Sequence, residues 1–198
     1  MHNESEVNRV QRETQKRLDR LLNLNEAAAR GELANLRRGV GRMPGDLPQL
    51  WGMLFDQLPE DMLGRRGEPS RAEWAIYTAI TLYALHQQGR DPQQASMHRE
   101  GISLGKAAAM LVWEEGEEAR ERIAHRFHQV ALASDMETAS YYLRGLVQLL
   151  RAADIGLDYP MLAADLYRFQ FEERAAAIRL KWGQDFYAQK NDAQKEQE

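Results

Sequence analysis

Residues 70–87 read SRAEWAIYTAITLYALHQ, and this stretch decides the fold. It opens with Ser70 followed three residues later by Glu73, the spacing of a capping box at the start of a helix. Between Trp74 and Leu85 the apolar side chains recur at helical spacing, over a run too short to cross a membrane. The pattern predicts a buried helix over residues 71–88.

Ahead of this segment the chain predicts two shorter helices. Leu33 and Leu36 begin a helix that ends in a basic loop at residues 37–42, where glycines stop helix propagation. Asp46 and Pro48 are typical of the start of a further helix, which carries an apolar run as far as residue 58. A glycine- and arginine-containing linker then leads to the central segment.

After the central segment, capping residues mark one helix after another. Residues 91–102 are polar and irregular, as expected of a surface loop. No stretch alternates in the manner of a strand, so the sequence predicts an all-α, compact bundle of about six to eight helices. The predicted helices cover residues 103–113 behind Ser103, 117–133, 137–153 behind Asp135, and 159 or 160 to 187 behind Asp158.

The two ends of the chain differ in composition from the middle. The first thirty residues and the last ten are too polar to join the core, although residues 5–30 have the pattern of a polar helix with a thin apolar stripe. We expect this helix to be a docking element or a partly disordered arm. The chain therefore divides into an N-terminal polar helical arm (1–30), a helical core domain (31–187) and a polar tail (188–198).

Composition limits the class of protein. A chain of 198 residues with 43% hydrophobic residues can bury one proper core, and the absence of cysteine excludes disulfides and thiolate metal sites. No membrane span or signal peptide is indicated, so we expect a cytoplasmic protein. The formal net charge of −4 argues mildly against nucleic-acid binding. Acidic residues cluster at 114–118 and 192–198, however, and segregated charge permits one basic groove.

The motifs of catalysis are missing. Residues 101–107, GISLGKA, have too few residues between the glycines and no hydroxyl after the lysine, so they do not form a phosphate-binding loop. His125 and His128 share a helix face, but no carboxylate completes a metal set there. Adjacent glutamates such as Glu172 and Glu173 point about 100° apart on a helix and do not converge on one atom. We expect no enzyme activity, no metal and no cofactor.

Basic side chains follow a regular spacing on the helix predicted over residues 137–153. Arg144, Gln148 and Arg151 repeat the spacing of the buried apolar stripe one residue later, which puts the two guanidinium groups roughly 10 Å apart. Arg122 and Arg126 lie four residues apart on the preceding helix. Rows of guanidinium groups at this pitch can bridge successive phosphates of a nucleic-acid strand.

Other basic residues lie where a helix end or a loop favours an anion. Arg37, Arg38 and Arg42 belong to the glycine-containing loop, and Lys106 lies in the first helical turn after Ser103. Arginines on helices also form ordinary surface ion pairs or cover apolar surface, and spacing favours phosphate binding only modestly over that alternative.

Several fragments occur in a characteristic order. Together they resemble the small-subunit family of the type I-E CRISPR surveillance complex Cascade, also called the CasB family, and the resemblance covers about residues 32–187. The fragments are LRRG at 36–39, ALHQ at 84–87, GISLGKA at 101–107, LRGLV at 143–147, IGLDYPML at 155–162 with Asp165-Leu166, and Trp182 with Phe186-Tyr187.

The resemblance implies a non-catalytic, all-helical subunit that is present as two copies in the complex. Its implied partners are the backbone and large subunits of Cascade, the guide RNA, the target DNA and the displaced strand. These strands are held without sequence preference, which stabilises the R-loop in antiviral defence. The family's basic positions correspond to Arg37, Arg38, Lys106, Arg126 and Arg144, and spacing adds Arg42, Arg99, Arg122 and Arg151.

Two other functions remain open from the sequence. A helical transcription regulator would need an exposed recognition helix that enters the major groove, and no predicted helix has the short turn and polar N-terminal face this requires. A helical protein-binding adaptor would carry the same arginines as solvated surface.

Overall fold

Helices account for the fold of residues 2–188, the part of the chain that the computed structural model describes; side chains are described for all of these except residues 2–5 and 117. This part of the chain contains isolated β-bridges but no strand, which confirms the all-α prediction. Its nine α-helices are α1 (His2–Leu22), α2 (Glu26–Arg38), α3 (Trp51–Leu54), α4 (Arg71–His86), α5 (Leu104–Glu115), α6 (Arg120–Ala131), α7 (Met136–Ala152), α8 (Tyr159–Phe169) and α9 (Glu172–Ala188).

Helix α4 is the centre of the bundle. Its predicted capping box is present: Ser70 Oγ accepts a hydrogen bond from Glu73 N at 3.0 Å, and Glu73 Oε2 accepts one from Ser70 N at 2.6 Å. Every side chain from residue 75 to residue 86 is buried, so the helix has no face turned to solvent. A helix that is apolar all round must be enclosed, and α1, α2, α7 and α8 surround α4.

Helix α1 belongs to the core, contrary to the prediction that the first thirty residues are too polar for it. Val7, Val10, Leu18 and Leu21 are buried in the main apolar cluster, and the helix packs along α8 and α4. The stripe is thin because α1 lies on the surface of the bundle and turns only one face inward. The polar tail predicted for residues 188–198 lies, from residue 189 onward, outside the described residues.

A buried arginine fastens α1 to the C-terminal end of α3. The Arg17 side chain is only 4% exposed; its Nη2 and Nε donate to Leu54 O at 2.7 and 3.0 Å, and its Nη1 donates to Glu13 Oε2 at 3.0 Å. Burial alone would raise the pKa of Glu13, but hydrogen bonds from Lys16 and Arg17 hold that pKa below its usual value. Arg17 therefore provides hydrogen bonds both to the buried carboxylate of Glu13 and to the carbonyl of Leu54 at the end of α3.

Three of the predicted helices are interrupted, and the first two of them precede α4. The polar helix over residues 5–30 breaks after Leu22, and Asn25 caps α2 by accepting a hydrogen bond from Ala28 N at 2.9 Å. The helix predicted from Asp46 to residue 58 is a 3₁₀ turn, Pro48–Leu50, followed by the single turn α3.

The long helix predicted from residue 159 or 160 to 187 is two helices, α8 and α9, which turn at Gln170 and Phe171. Nε2 of Gln170 donates to Arg71 O at 2.9 Å. The turn lets α9 fold back on α8, where the buried carboxylate of Asp165 accepts hydrogen bonds from Trp182 Nε1 at 2.9 Å and Lys181 Nζ at 2.8 Å.

A buried histidine joins the end of α4 to the start of α8. His86 is fully buried, and its Nδ1 lies 2.8 Å from the hydroxyl of Tyr159, whose ring stands edge-on to Tyr83. Burial, reinforced by the positive charge of Arg90, lowers the pKa of His86 to about 4. The imidazole is therefore neutral at physiological pH.

Replacing Arg17 by Ala should destabilise the protein by about 3 kcal/mol or more, because it leaves the Glu13 carboxylate and the Leu54 carbonyl buried with fewer partners. Urea unfolding of the two proteins measures the difference. The control is Arg12→Ala, an exposed arginine on the same helix, which should change stability by no more than about 0.5 kcal/mol. Equal stability of both variants would contradict the anchoring role of Arg17.

Lowering the pH should weaken folding through His86. Its pKa in the folded protein, about 4, lies below the value of ~6.5 expected in an unfolded chain. The unfolded chain therefore binds more protons between these values, and stability falls as the pH drops through this window. Between pH 7 and pH 5 the loss from this group is about 2 kcal/mol.

His86→Gln should remove that part of the pH dependence, measured as the difference between urea unfolding free energies at the two pH values. His128→Gln, which changes an exposed histidine, should leave the pH dependence intact. An unchanged pH dependence in the His86 variant would show that the buried imidazole does not titrate as described.

Candidate nucleic-acid interface

Arg126 on α6 and Arg144 on α7 line one groove of about 550 Å³ between these two helices. We call it the α6–α7 groove. Its lining is polar and aromatic and contains no carboxylate. The other lining residues are His125, Gln129, Tyr141, Tyr142, Gly145 and Gln148.

The amphipathic pattern of α7 places these side chains. Leu143, Val147 and Leu150 are fully buried, so the stripe one residue later, beginning at Arg144, lies at the edge of the buried face and opens toward α6. Arg126 reaches α7 at Gly145: a Cβ built on that glycine would lie 3.5 Å from Nη1 of Arg126, an ordinary van der Waals distance. The Arg126 guanidinium therefore lies against α7, across the groove from its own helix.

The two arginines of the groove have no acidic partner among the described residues, since no carboxylate oxygen lies within 4 Å of either guanidinium group. Arg122 differs from them, because it forms an ion pair with Glu115 across the turn between α5 and α6. For Arg122 the structure therefore shows the ordinary surface ion pair that was the alternative to phosphate binding.

A second pair of basic residues, Arg37 on α2 and Arg151 on α7, lies close enough for the two charges to interact. Burial, together with the positive charge of the nearby Arg151, lowers the pKa of Arg37. Arg151 Nη1 donates to Gln88 Oε1 at 2.6 Å, while Arg90 pairs with Asp154 at 2.6 Å. Arg151 lies two turns along α7 from Arg144 on the same stripe, so the basic surface runs from the α6–α7 groove toward α2.

The other predicted residues lie elsewhere, and no contact described for residues 2–188 joins them to the groove. Arg38 is exposed in the last turn of α2, and Arg42 is exposed in the loop that follows. The stem of Arg99 packs over Gly156, where a Cβ would collide with it. Lys106 lies in the first turn of α5, and its backbone N–H donates a hydrogen bond to Oγ of the capping Ser103 at 3.2 Å.

Of the residues that line the groove, the sequence predicts only the two arginines as phosphate contacts. Tyr141 lies three residues before Arg144 on the same face as Arg144, Gln148 and Arg151, so the tyrosine could have been found by extending that stripe by one turn. His125 and Gln129 line the facing wall on α6. No local pattern shows that these two residues oppose Tyr141.

No group of three or more His, Asp or Glu side chains in the described part of the chain is arranged to hold a metal ion. None of its helices combines the length and the apolarity needed to cross a membrane.

The fold and the groove define an all-helical protein with an unpaired cationic groove on one face. Residues 32–187 match the family described as CRISPR-associated protein Cse2. The chain belongs to this family, which confirms the resemblance to the Cascade small subunit.

Solved structures of CasB proteins agree with this assignment. The crystal structure of CasB from Thermobifida fusca is 32% identical, with a TM-score of 0.70 over 91% of this chain and 97% of that one. CasB from M. ruber is 22% identical, with a TM-score of 0.68 over 92% of this chain and 97% of that one, and supports the fold.

A curated relative matches only in part. A putative polyketide beta-ketoacyl synthase 1 from Streptomyces cyaneus is 38% identical in an alignment 93 residues long, which covers 43% of this chain and 21% of the synthase. The chain thus spans about a fifth of that protein, and the activity in its name is not carried over to this chain.

Proposed function

We propose that this small subunit of type I-E Cascade holds the sugar-phosphate backbones of the guide RNA, the target DNA and the displaced strand, and so stabilises the R-loop in antiviral defence. Its role is to bind, without catalysis and without reading sequence. The observation that carries the proposal is the α6–α7 groove, in which Arg126 and Arg144 converge without a carboxylate.

Two guanidinium groups in one groove repel each other unless an anion lies between them. A phosphate diester is an anion of the right shape, because the planar guanidinium fork donates two parallel hydrogen bonds to its oxygens. Contacts of this kind fix the position of a strand but carry no sequence information. In guided systems the base pairing between RNA and DNA supplies that information.

The energetics of strand exchange make such contacts effective. Forming an RNA–DNA duplex at the expense of a DNA duplex is nearly balanced, so a few additional backbone contacts can tip it. The net charge of −4 fits a subunit that binds nucleic acid mainly within an assembly. When such a subunit is free, its overall negative charge repels DNA, and one basic groove attracts little of it. The partners we propose are the backbone and large Cascade subunits and a second copy of the chain.

Arg126→Ala combined with Arg144→Ala should shorten the lifetime of the R-loop in the assembled complex. Each contact to a charged group contributes about 1.5 kcal/mol, so loss of both should shorten the lifetime roughly a hundredfold. The measurement follows release of a labelled target from Cascade assembled with variant small subunits.

The charge-matched control is Arg12→Ala with Arg30→Ala, which removes two exposed arginines outside the groove. It should leave the R-loop lifetime unchanged. Normal assembly and an unaltered lifetime in the groove variant would contradict the proposal and favour a protein-binding adaptor.

A further inference from the structure

Tyr141 gives the α6–α7 groove a feature that phosphate binding does not need. Its side chain lines the groove and is 69% exposed, more than any other Tyr, Trp or Phe side chain that the structure describes. Its ring stands edge-on to that of Tyr142, with 5.4 Å between the centroids and 69° between the planes. Tyr142 is half-buried against the core, so it supports the Tyr141 ring from one side and leaves the rest of that ring open.

The position of Tyr141 relative to the arginines is set by the helix. Tyr141 and Arg144 are three residues apart on one face of α7, which separates them by roughly 4.5 Å along the axis. Arg126 reaches the same place from α6, over Gly145. An open aromatic ring therefore lies beside two guanidinium groups that have no acidic partner within the described residues.

We propose that the α6–α7 groove holds one unpaired nucleotide, with its base stacked on Tyr141 and its phosphate between Arg126 and Arg144. This inference rests on the proposed function and narrows it, because it assigns the groove to single-stranded nucleic acid. The groove volume of about 550 Å³ is in the range of sites that take small ligands, about 300–1,000 Å³.

The aromatic ring is the feature of the groove that favours binding of a single strand over a duplex. Arginines bind the phosphates of either form, whereas the faces of paired bases are covered by their neighbours in the stack. Proteins that bind single strands without sequence preference combine a cationic groove with aromatic platforms, because every base has a face that can stack. The groove has both elements, and the open face of the tyrosine ring would find no uncovered base to stack on in a duplex.

The experiment compares Tyr141→Ala and Tyr141→Phe in the full chain. The probes are a short DNA strand that carries the fluorescent base 2-aminopurine and the same strand in a duplex. The matched control is Tyr187→Ala, since Tyr187 is also an exposed tyrosine that stands edge-on to its neighbour, but it lies on α9.

Tyr141→Ala should weaken binding of the single strand roughly tenfold and abolish the quenching of the base, while duplex binding stays unchanged. Tyr141→Phe, which keeps the ring, and the Tyr187 control should both behave as the unaltered protein. Equal weakening of strand and duplex by Tyr141→Ala, or failure of Tyr141→Phe to retain quenching, would overturn the stacking assignment.

The result also distinguishes this inference from the function on which it rests. If Tyr141→Ala binds the single strand normally while Arg126→Ala with Arg144→Ala does not, stacking is wrong and the phosphate contacts stand. If neither variant affects binding of either probe, the proposed function fails as well. Loss of incorporation into Cascade by Tyr141→Ala, with normal strand binding, would assign the tyrosine to a protein contact instead.

Discussion

Complete burial of α4 is the constraint on which the rest of the structure depends. A helix without a polar face must be enclosed on all sides, and four other helices provide that enclosure. One of them is α7, whose inner face is buried by packing on α4 and its neighbours. The residues just beside that face are thereby directed toward α6, and these include Arg144 and Tyr141. The groove is thus a consequence of how the core is closed.

Local signals in the sequence are sufficient to predict a helix end when the residues that stabilise that end lie within the same helical turn. Ser70 and Glu73 cap each other within a single turn, and the start of α4 follows from them. The burial of α1 is different, because its thin apolar stripe finds its partner on α8, far away in the chain. The break between α8 and α9 carries no glycine or proline, and it is stabilised by contacts such as Asp165 with Trp182 that exist only once the chain has folded.

The candidate site likewise contains features that the sequence predicts and features that it does not. Arg126 and Arg144 were predictable from helical spacing and family resemblance, because each lies on a regular amphipathic helix. The ion pair of Arg122 was not, since Glu115 comes opposite it only through the turn at Gly116, where φ is 84°. Nor was the opposition of the α6 and α7 walls, which depends on the packing of the two helices against each other. Spacing along one helix shows which residues share a face; only the folded protein shows what that face meets.

The central claim is that Arg126 and Arg144 neutralise phosphates. The most direct test is the salt dependence of single-strand binding by the isolated full chain. Each phosphate contact adds about −0.7 to the slope of log affinity against log salt concentration, so replacing both arginines by Ala should make the slope shallower by about 1.4. The doubly substituted Arg12 and Arg30 control should keep the original slope. Parallel salt dependences for the groove variant and the unaltered protein would contradict the account, because the two guanidinium groups would then release no counterions.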